Sequence, residues 1–368
     1  MYNMNRIFVT VLLVANFFWG PAFSQNIDSL DLKIGQMIMV GINQRTDVAA
    51  EDSLLQEIRD HKLGGIILFE KNIAKQNSRE QLKKMIATLK SNAPAPLLVS
   101  IDEEGGKVHR LKEKYGFVAM PSASYLGSIN LPDSTLYYNC RLAEELFDLG
   151  INLNYAPCVD LAINPENDVI VNKNRSFGTA PQLVADHARL CILAHRDNQV
   201  KTILKHFPGH GSSAGDSHLG IVDVTQTWTF TELLPYYHLI QSNHFDAIMT
   251  AHIINRNWDT SSLPATLSER TVKGILRGLL GFKGVVFSDD MQMYAISKNY
   301  GLEHSMELAI NAGVDVLVFG NNVSQSDRPI TASEMHTIIK NLVLQGKISK
   351  SRIDEAYKRI VLLKQDIK

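Results

Sequence analysis

Eight short apolar runs, at 36–42, 64–69, 96–101, 152–156, 201–206, 247–252, 284–288 and 314–319, alternate with amphipathic stretches of helical period. Those helical stretches are expected at 79–90, 134–149, 182–197, 268–280 and 303–312, with two more at 332–344 and 351–364 closing the chain. A strand with one wet face alternates apolar and polar residues. A run that stays apolar on both faces is buried on both, which means parallel sheet. Eight such strands with helices between them predict an α/β fold, a (β/α)8 barrel, which occupies ~250 residues before insertions. A doubly wound open sheet is the alternative reading. The sequence shows no repeat, low-complexity segment or linker, so one domain is expected over 25–368.

A barrel places its chemistry on the loops that follow the strands. The polar groups fall there: Asp102 after Leu97–Ile101, Lys205 and His206 after Ile203-Leu204, His252 after Ile248–Ala251, and Asp289-Asp290 after Val285–Ser288. The densest segment is Lys205-His206-Phe207-Pro208-Gly209-His210-Gly211, running on to Asp216-Ser217-His218. Pro208 and the glycines at 209, 211 and 215 oppose a regular helix, so a shaped loop is expected.

A formal net charge of −1 and the absence of a basic stripe argue against a nucleic-acid partner. Arg6 and the apolar run from Ile7 to Trp19 read as the start of a secretory signal peptide. Ala22 and Ser24 stand at −3 and −1 of a cut before Gln25, giving a signal over 1–24. The run is short for a membrane span, so no stable insertion is expected after cleavage, an uncleaved anchor being the alternative. No Cys stands just after it, which argues against a lipid anchor. The expected location is periplasmic or extracellular. With three cysteines, Cys140, Cys158 and Cys191, at most one bridge can form, and buried free thiols are expected.

Asp289 can attack an anomeric carbon as a nucleophile, or cap the following helix; of Asp289 and Asp290, one can cap while the other reacts. Asp216 and His218 can form an acid/base pair, the carboxylate favouring the protonated imidazole, if the backbone bends to bring them together. The alternative is a solvated loop histidine. Lys205 and His206 read as substrate holders, and His210 as a structural residue bonding loop backbone. In Asp102-Glu103-Glu104-Gly105-Gly106-Lys107-Val108-His109-Arg110, the glycines allow a sharp turn and Asp102 can accept from sugar hydroxyls. Arg110 can reach the same pocket, or pair with Glu103 or Glu104. Asn174–Gly178 adds the cation Arg175. Zinc on His206, His210, His218, His252 and Asp289 is disfavoured, since Pro208-Gly209 breaks the helical spacing of a paired-histidine site and Lys205 adjoins the first ligand. No metal and no cofactor are expected.

These motifs resemble glycoside hydrolase family 3, in its bacterial β-N-acetylglucosaminidase branch. Asp102–Gly106, Asn174–Gly178, Lys205–Gly211, Asp216–His218 and Ser288-Asp289-Asp290-Met291 appear in family order across most of the chain. The resemblance implies a (β/α)8 barrel and a retaining, metal-free mechanism. It implies Asp289 as nucleophile, His218 as acid/base with Asp216 as its partner, and Asp102, Arg110, Arg175, Lys205 and His206 as binders of the terminal sugar. The 79 residues after Asp289 (368 − 289) are expected to finish the barrel, leaving the 216–218 loop as source of the acid. The family often has Gln at Glu103, Arg at Lys107 and an Asp-Thr pair at Ser212-Ser213. The last of these bears on the mobility of the loop.

The expected activity is exo-hydrolysis of terminal N-acetylglucosamine from peptidoglycan fragments or chitooligosaccharides. The rivals are a phosphorylase or β-glucosidase using the same site, and a non-catalytic glycan-binding protein, for which Asp289, Asp216 and His218 would be needless. The partner in every case is a carbohydrate. Oligomeric state is not legible.

Overall fold

The computed structural model describes residues 29–217, 219–242, 245–322 and 329–367. The proposed signal at 1–24 and His218 lie outside the described residues.

All eight apolar runs form strands: β1 (Ile38–Gly41), β2 (Gly65–Leu68), β3 (Leu98–Ile101), β4 (Leu153–Asn154), β5 (Lys201–Phe207), β6 (Ala247–Thr250), β7 (Val285–Asp290) and β8 (Val316–Phe319). They pair in parallel in chain order. β8 closes on β1 through Ile38–Leu317 and Val40–Phe319, so the sheet is a closed barrel and the open-sheet alternative fails. Six strands are shorter than their apolar runs, whereas β5 and β7 run on past theirs, to Phe207 and Asp290.

Large side chains fill the barrel interior. Tyr155 is fully buried, its hydroxyl 2.6 Å from Met39 Sδ and its ring edge-on to Phe287 at 6.3 Å. Met39 fits because its neighbour across the ladder is Gly65, where a Cβ would stand 2.5 Å from Met39 Cε. Seven helices lie where their periodicity predicts. Pro132 and Pro181 open two of them at the first turn, where a missing amide donor leaves no bond unmade.

Three features differ from the sequence reading. Helices Ser29–Gln36, Ser53–Arg59, Ala123–Ile129, Leu234–Ser242 and Tyr294–Tyr300 are too short to register as periodic patterns. The segment Arg270–Leu279 is a π-helix, closing with Leu280 N on Ile275 O at 2.9 Å. Two-residue strands Val222–Asp223 and Ile253–Ile254 pair outside the barrel, beside the loop that follows β5.

The N-terminal ends of the strands carry stabilising contacts. Fully buried Asp315 accepts from Arg277 at 2.7 Å, Arg352 at 2.6 Å and Arg359 at 2.9 Å. Lys364, from the last helix, bonds Gln36 Oε1 at 2.6 Å and the Gly64 carbonyl at 2.7 Å. Cys140, Cys158 and Cys191 are free thiols, the last two buried. No helix among the described residues is long and apolar enough to cross a membrane.

Candidate active site

The opposite, C-terminal ends of the strands surround a cavity of about 560 Å³. Asp102, Arg110, Arg175, Lys205, His206 and Asp289 all line it, although 187 residues separate the first from the last (289 − 102). Asp216 sits half-buried on the loop after β5, immediately before Ser217. Ser217 and Leu219, which flank His218 in sequence, both line the cavity.

A continuous polar chain forms the wall. Lys205 Nζ lies 2.7 Å from Asp102 Oδ1 and 2.6 Å from Glu104 Oε1. Glu104 in turn takes Arg175 in a two-pronged pair, Nε at 2.8 Å and Nη2 at 2.7 Å. Arg175 Nη2 reaches His206 Nε2 at 3.1 Å, and His206 Nδ1 meets Asp160 Oδ2 at 2.6 Å. That geometry makes Nδ1–H the donor to Asp160 and Nε2 the acceptor from Arg175. His206 is therefore fixed from both sides.

Burial would push the Asp102 carboxyl up, yet the Lys205 and Arg110 charges outweigh it and hold the group below the usual carboxylate range. Glu104 is held down against burial by Arg175 and Lys205. Asp160 falls to about 2 against burial, through His206 and the His210 amide. Lys205 is buried, but Asp102 and Glu104 keep its ammonium charged, its pKa raised. The wall is thus ionised at neutral pH, a fixed array of charges before any ligand arrives.

Arg110 turns to Asp102, Nη2 to Oδ2 at 3.6 Å, rather than to Glu103 or Glu104. Its Nε is buried without a hydrogen-bond partner. Glu103 instead accepts the Arg110 and Leu111 amides, both at 2.6 Å, shaping the turn. Lys107 bonds the Asn172 carbonyl at 2.7 Å.

The two aspartates ending β7 divide their work. Asp290 Oδ1 accepts the Gln292 and Gly320 amides, each at 3.0 Å, while its carbonyl accepts from His252 Nε2 at 3.0 Å. Asp290 thus pins the turn after β7, while the next helix, Tyr294–Tyr300, starts from Met293 without a side-chain cap; His252 holds the Asp290 backbone, and Asp290 also lines the cavity. Asp289 accepts the Asp290 amide at 2.8 Å through Oδ1 and lines the cavity. His210 bonds hydroxyls rather than loop backbone: Nδ1 meets Ser213 Oγ at 2.7 Å and Nε2 meets Ser217 Oγ at 3.4 Å. Burial, with the nearby His206, pushes His210 down to about 4.

Among the described residues, one group could hold a metal ion, and it is not the set weighed from sequence: Cys158, Asp160 and His206. These groups bond one another, the Cys158 thiol donating to Asp160 at 3.3 Å and burial raising its pKa.

Residues 29–363 match the glycosyl hydrolase family 3 N-terminal domain. The chain belongs to glycosyl hydrolase family 3. It is 35% identical over 270 residues to a beta-hexosaminidase of Tolumonas auensis, covering 72% of this chain and 78% of that one. The family 3 beta-N-acetylglucosaminidase of Paenibacillus sp. FPU-7 superposes with a TM-score of 0.83 at 34% identity over 92% of this chain. The present chain spans 62% of that structure, less than two thirds of its length. A beta-N-acetylhexosaminidase from Beutenbergia cavernae gives a TM-score of 0.80 at 28% identity, covering 92% of this chain and 98% of that one.

Family 3 membership makes this protein a glycoside hydrolase. Its wall includes two residues that the sequence reading left without a role, Glu104 and Asp160. Glu104 stood inside a quoted motif with nothing to distinguish it from Glu103. Asp160 carried the same signal as Asp102 and Asp289, an acid just beyond an apolar run, but the intervening Pro157-Cys158-Val159 obscured it.

Proposed function

We propose that this family 3 enzyme is a retaining exo-β-N-acetylglucosaminidase, removing terminal N-acetylglucosamine from peptidoglycan fragments or chitooligosaccharides. One observation carries the reading: Asp289 faces the same cavity as the ionised Asp102–Lys205–Glu104–Arg175 chain. A carboxylate at the strand end thereby meets a polar wall suited to sugar hydroxyls. The names of the relatives support the sugar. The sequence of residues 1–24 supports secretion to the periplasm or exterior.

Asp289 attacks the anomeric carbon while the bond to the leaving oxygen breaks, and His218 gives that oxygen its proton. His218 then takes a proton from water, whose oxygen displaces Asp289 from the sugar. Asp216 favours the protonated imidazole in the first step. Asp102 and Lys205 are the pair best disposed to hold hydroxyls, as acceptor and donor. Arg110 adds its unpartnered Nε–H. Arg175 and His206, bonded to Glu104 and Asp160, act mainly by fixing the wall.

The test is release of nitrophenol from 4-nitrophenyl N-acetyl-β-glucosaminide, with and without phosphate, beside Asp289→Ala. Activity in both buffers yielding free sugar, and lost in the variant by ~10⁴-fold or more, is expected for removal of a covalent nucleophile. Sugar 1-phosphate would mean a phosphorylase, and retained activity in the variant would end the assignment of Asp289.

A further inference from the structure

The loop after β5 is held from beneath by two carboxylates on its concealed side. Asp160 accepts the His206 amide at 3.2 Å and the His210 amide at 2.8 Å, both through Oδ1. The second is Glu232, on the short helix Phe230–Leu233. Its Oε2 accepts the Gly211 amide at 2.8 Å and the Ser212 amide at 3.3 Å. Glu232 is 1% exposed, and its Oε1 is buried with no hydrogen-bond partner. The contact is close. At Gly209, where φ is 117°, a Cβ would stand 2.6 Å from Glu232 Cβ.

The grip falls at a boundary. Asn167 Nδ2 bonds the His210 and Gly211 carbonyls at 2.8 and 3.2 Å, and Asn164 Nδ2 bonds the Ser213 carbonyl at 3.0 Å. Residues through Ser213 are buried, whereas Ala214 and Gly215 are exposed and lead directly to Asp216. Glu232 therefore holds Gly211 and Ser212, immediately ahead of Ser213, the last buried residue before the chain emerges.

A buried carboxylate with one unsatisfied oxygen is an unfavourable way to fill space. Burial raises its pKa to about 7, with the Asp160 charge adding to the rise against the pull of the Ser212 hydroxyl and the two amides. Tyr236 is the other titratable group facing it. An apolar side chain would pack there without that penalty, but could not accept two amides.

We propose that Glu232 is a positioning residue for proton transfer: through the Gly211 and Ser212 amides it sets the course of the segment that carries Asp216 and His218. The inference rests on the acid/base reading of His218 given above. It predicts that loss of Glu232 harms the steps needing a proton donor or base and spares the attack of Asp289.

The experiment compares two leaving groups. A sugar leaves only with a proton, whereas dinitrophenolate leaves without one. Glu232→Ala is expected to lower kcat/KM for N,N′-diacetylchitobiose by ~30-fold or more, and for 2,4-dinitrophenyl N-acetyl-β-glucosaminide by less than ~3-fold. On the second substrate kcat falls, because water activation needs the same imidazole, and azide, which needs no deprotonation, restores it. Glu232→Gln keeps an acceptor for the amides and is expected to recover chitobiose hydrolysis to within ~5-fold of the parent. If the alanine variant does not fold, Glu232→Asp, one methylene too short to reach the amides, carries the same comparison.

Equal losses on both substrates, unmoved by azide, would reduce Glu232 to a support of the fold. No loss on either would remove it from the reaction altogether. A parent enzyme inactive on N-acetylglucosaminides would overturn the functional reading and this inference with it.

Discussion

Replacing Lys205 with Met tests the charged wall at its centre. Lys205 is 1% exposed, and its ammonium bridges two carboxylates, Asp102 at 2.7 Å and Glu104 at 2.6 Å. A hydrogen bond to a charged group contributes ~1.5–3 kcal/mol, so two give ~3–6 kcal/mol. Removing one partner of a buried ion pair costs ~3–5 kcal/mol, because the other charge stays behind. Arg175 remains on Glu104, while Asp102 retains Arg110 at 3.6 Å, so the expected loss is about 3–5 kcal/mol. Against a typical domain stability of ~5–15 kcal/mol, that is readily resolved by urea denaturation with linear extrapolation. The loss has a pH signature. Asp102 and Glu104 have folded-state pKa values below their unfolded ones, so their stabilisation is present above the ordinary carboxylate range and is lost as pH falls through the depressed values. Without Lys205 both values rise, and acid unfolding begins at a higher pH. Combining Lys205→Met with Asp102→Asn is expected to destabilise less than the sum of the two single changes. A single-variant loss below about 1 kcal/mol, with an unmoved acid limb, would refute the bridging role of this lysine.

Three further outcomes follow from the same contacts. Glu232 is buried with its pKa raised from 4.5 to about 7, so the stability this contributes is full below 4.5 and is lost as pH rises through about 7. The drop is on the order of 3 kcal/mol. Glu232→Gln is expected to flatten that slope in urea titrations at pH 5, 6, 7 and 8. A Cβ at Gly211 would stand 1.9 Å from the Leu161 carbonyl oxygen, so Gly211→Ala should destabilise by ~1–3 kcal/mol or more and depress activity with it; parental denaturation midpoints would show that the loop yields. Dialysis against a chelator should leave kcat/KM unchanged, whereas a loss restored by zinc would show that Cys158, Asp160 and His206 hold an ion.

The barrel was legible because its signal is local and repeated. Eight runs apolar on both faces can satisfy themselves only in a sheet covered on both sides, and every one became a strand. The five missed helices are 7–9 residues long, too short for a period to stand out. The π-helical turn at 270–279 has a helical sequence pattern, and only its i→i+5 bonding distinguishes it.

For the site, the sequence by itself determined the inventory: which strand ends carry Asp102, Lys205, His206 and Asp289, and that Pro208, Gly209, Gly211 and Gly215 oppose a regular helix and leave a shaped loop. Closure of the barrel decided the pairings. Lys205 binds Asp102 and Glu104, Arg175 binds Glu104, and Asp160 fixes His206, across separations of 46 to 103 residues that no local pattern encodes. The tertiary structure also decided which of Asp289 and Asp290 takes the turn amides, since both follow one apolar strand and both line the cavity. Glu232 makes the point most sharply. In sequence it is one acid among many before a helix; buried under the loop, with two amides pointed at it, it becomes an acceptor that only the folded chain could have placed there.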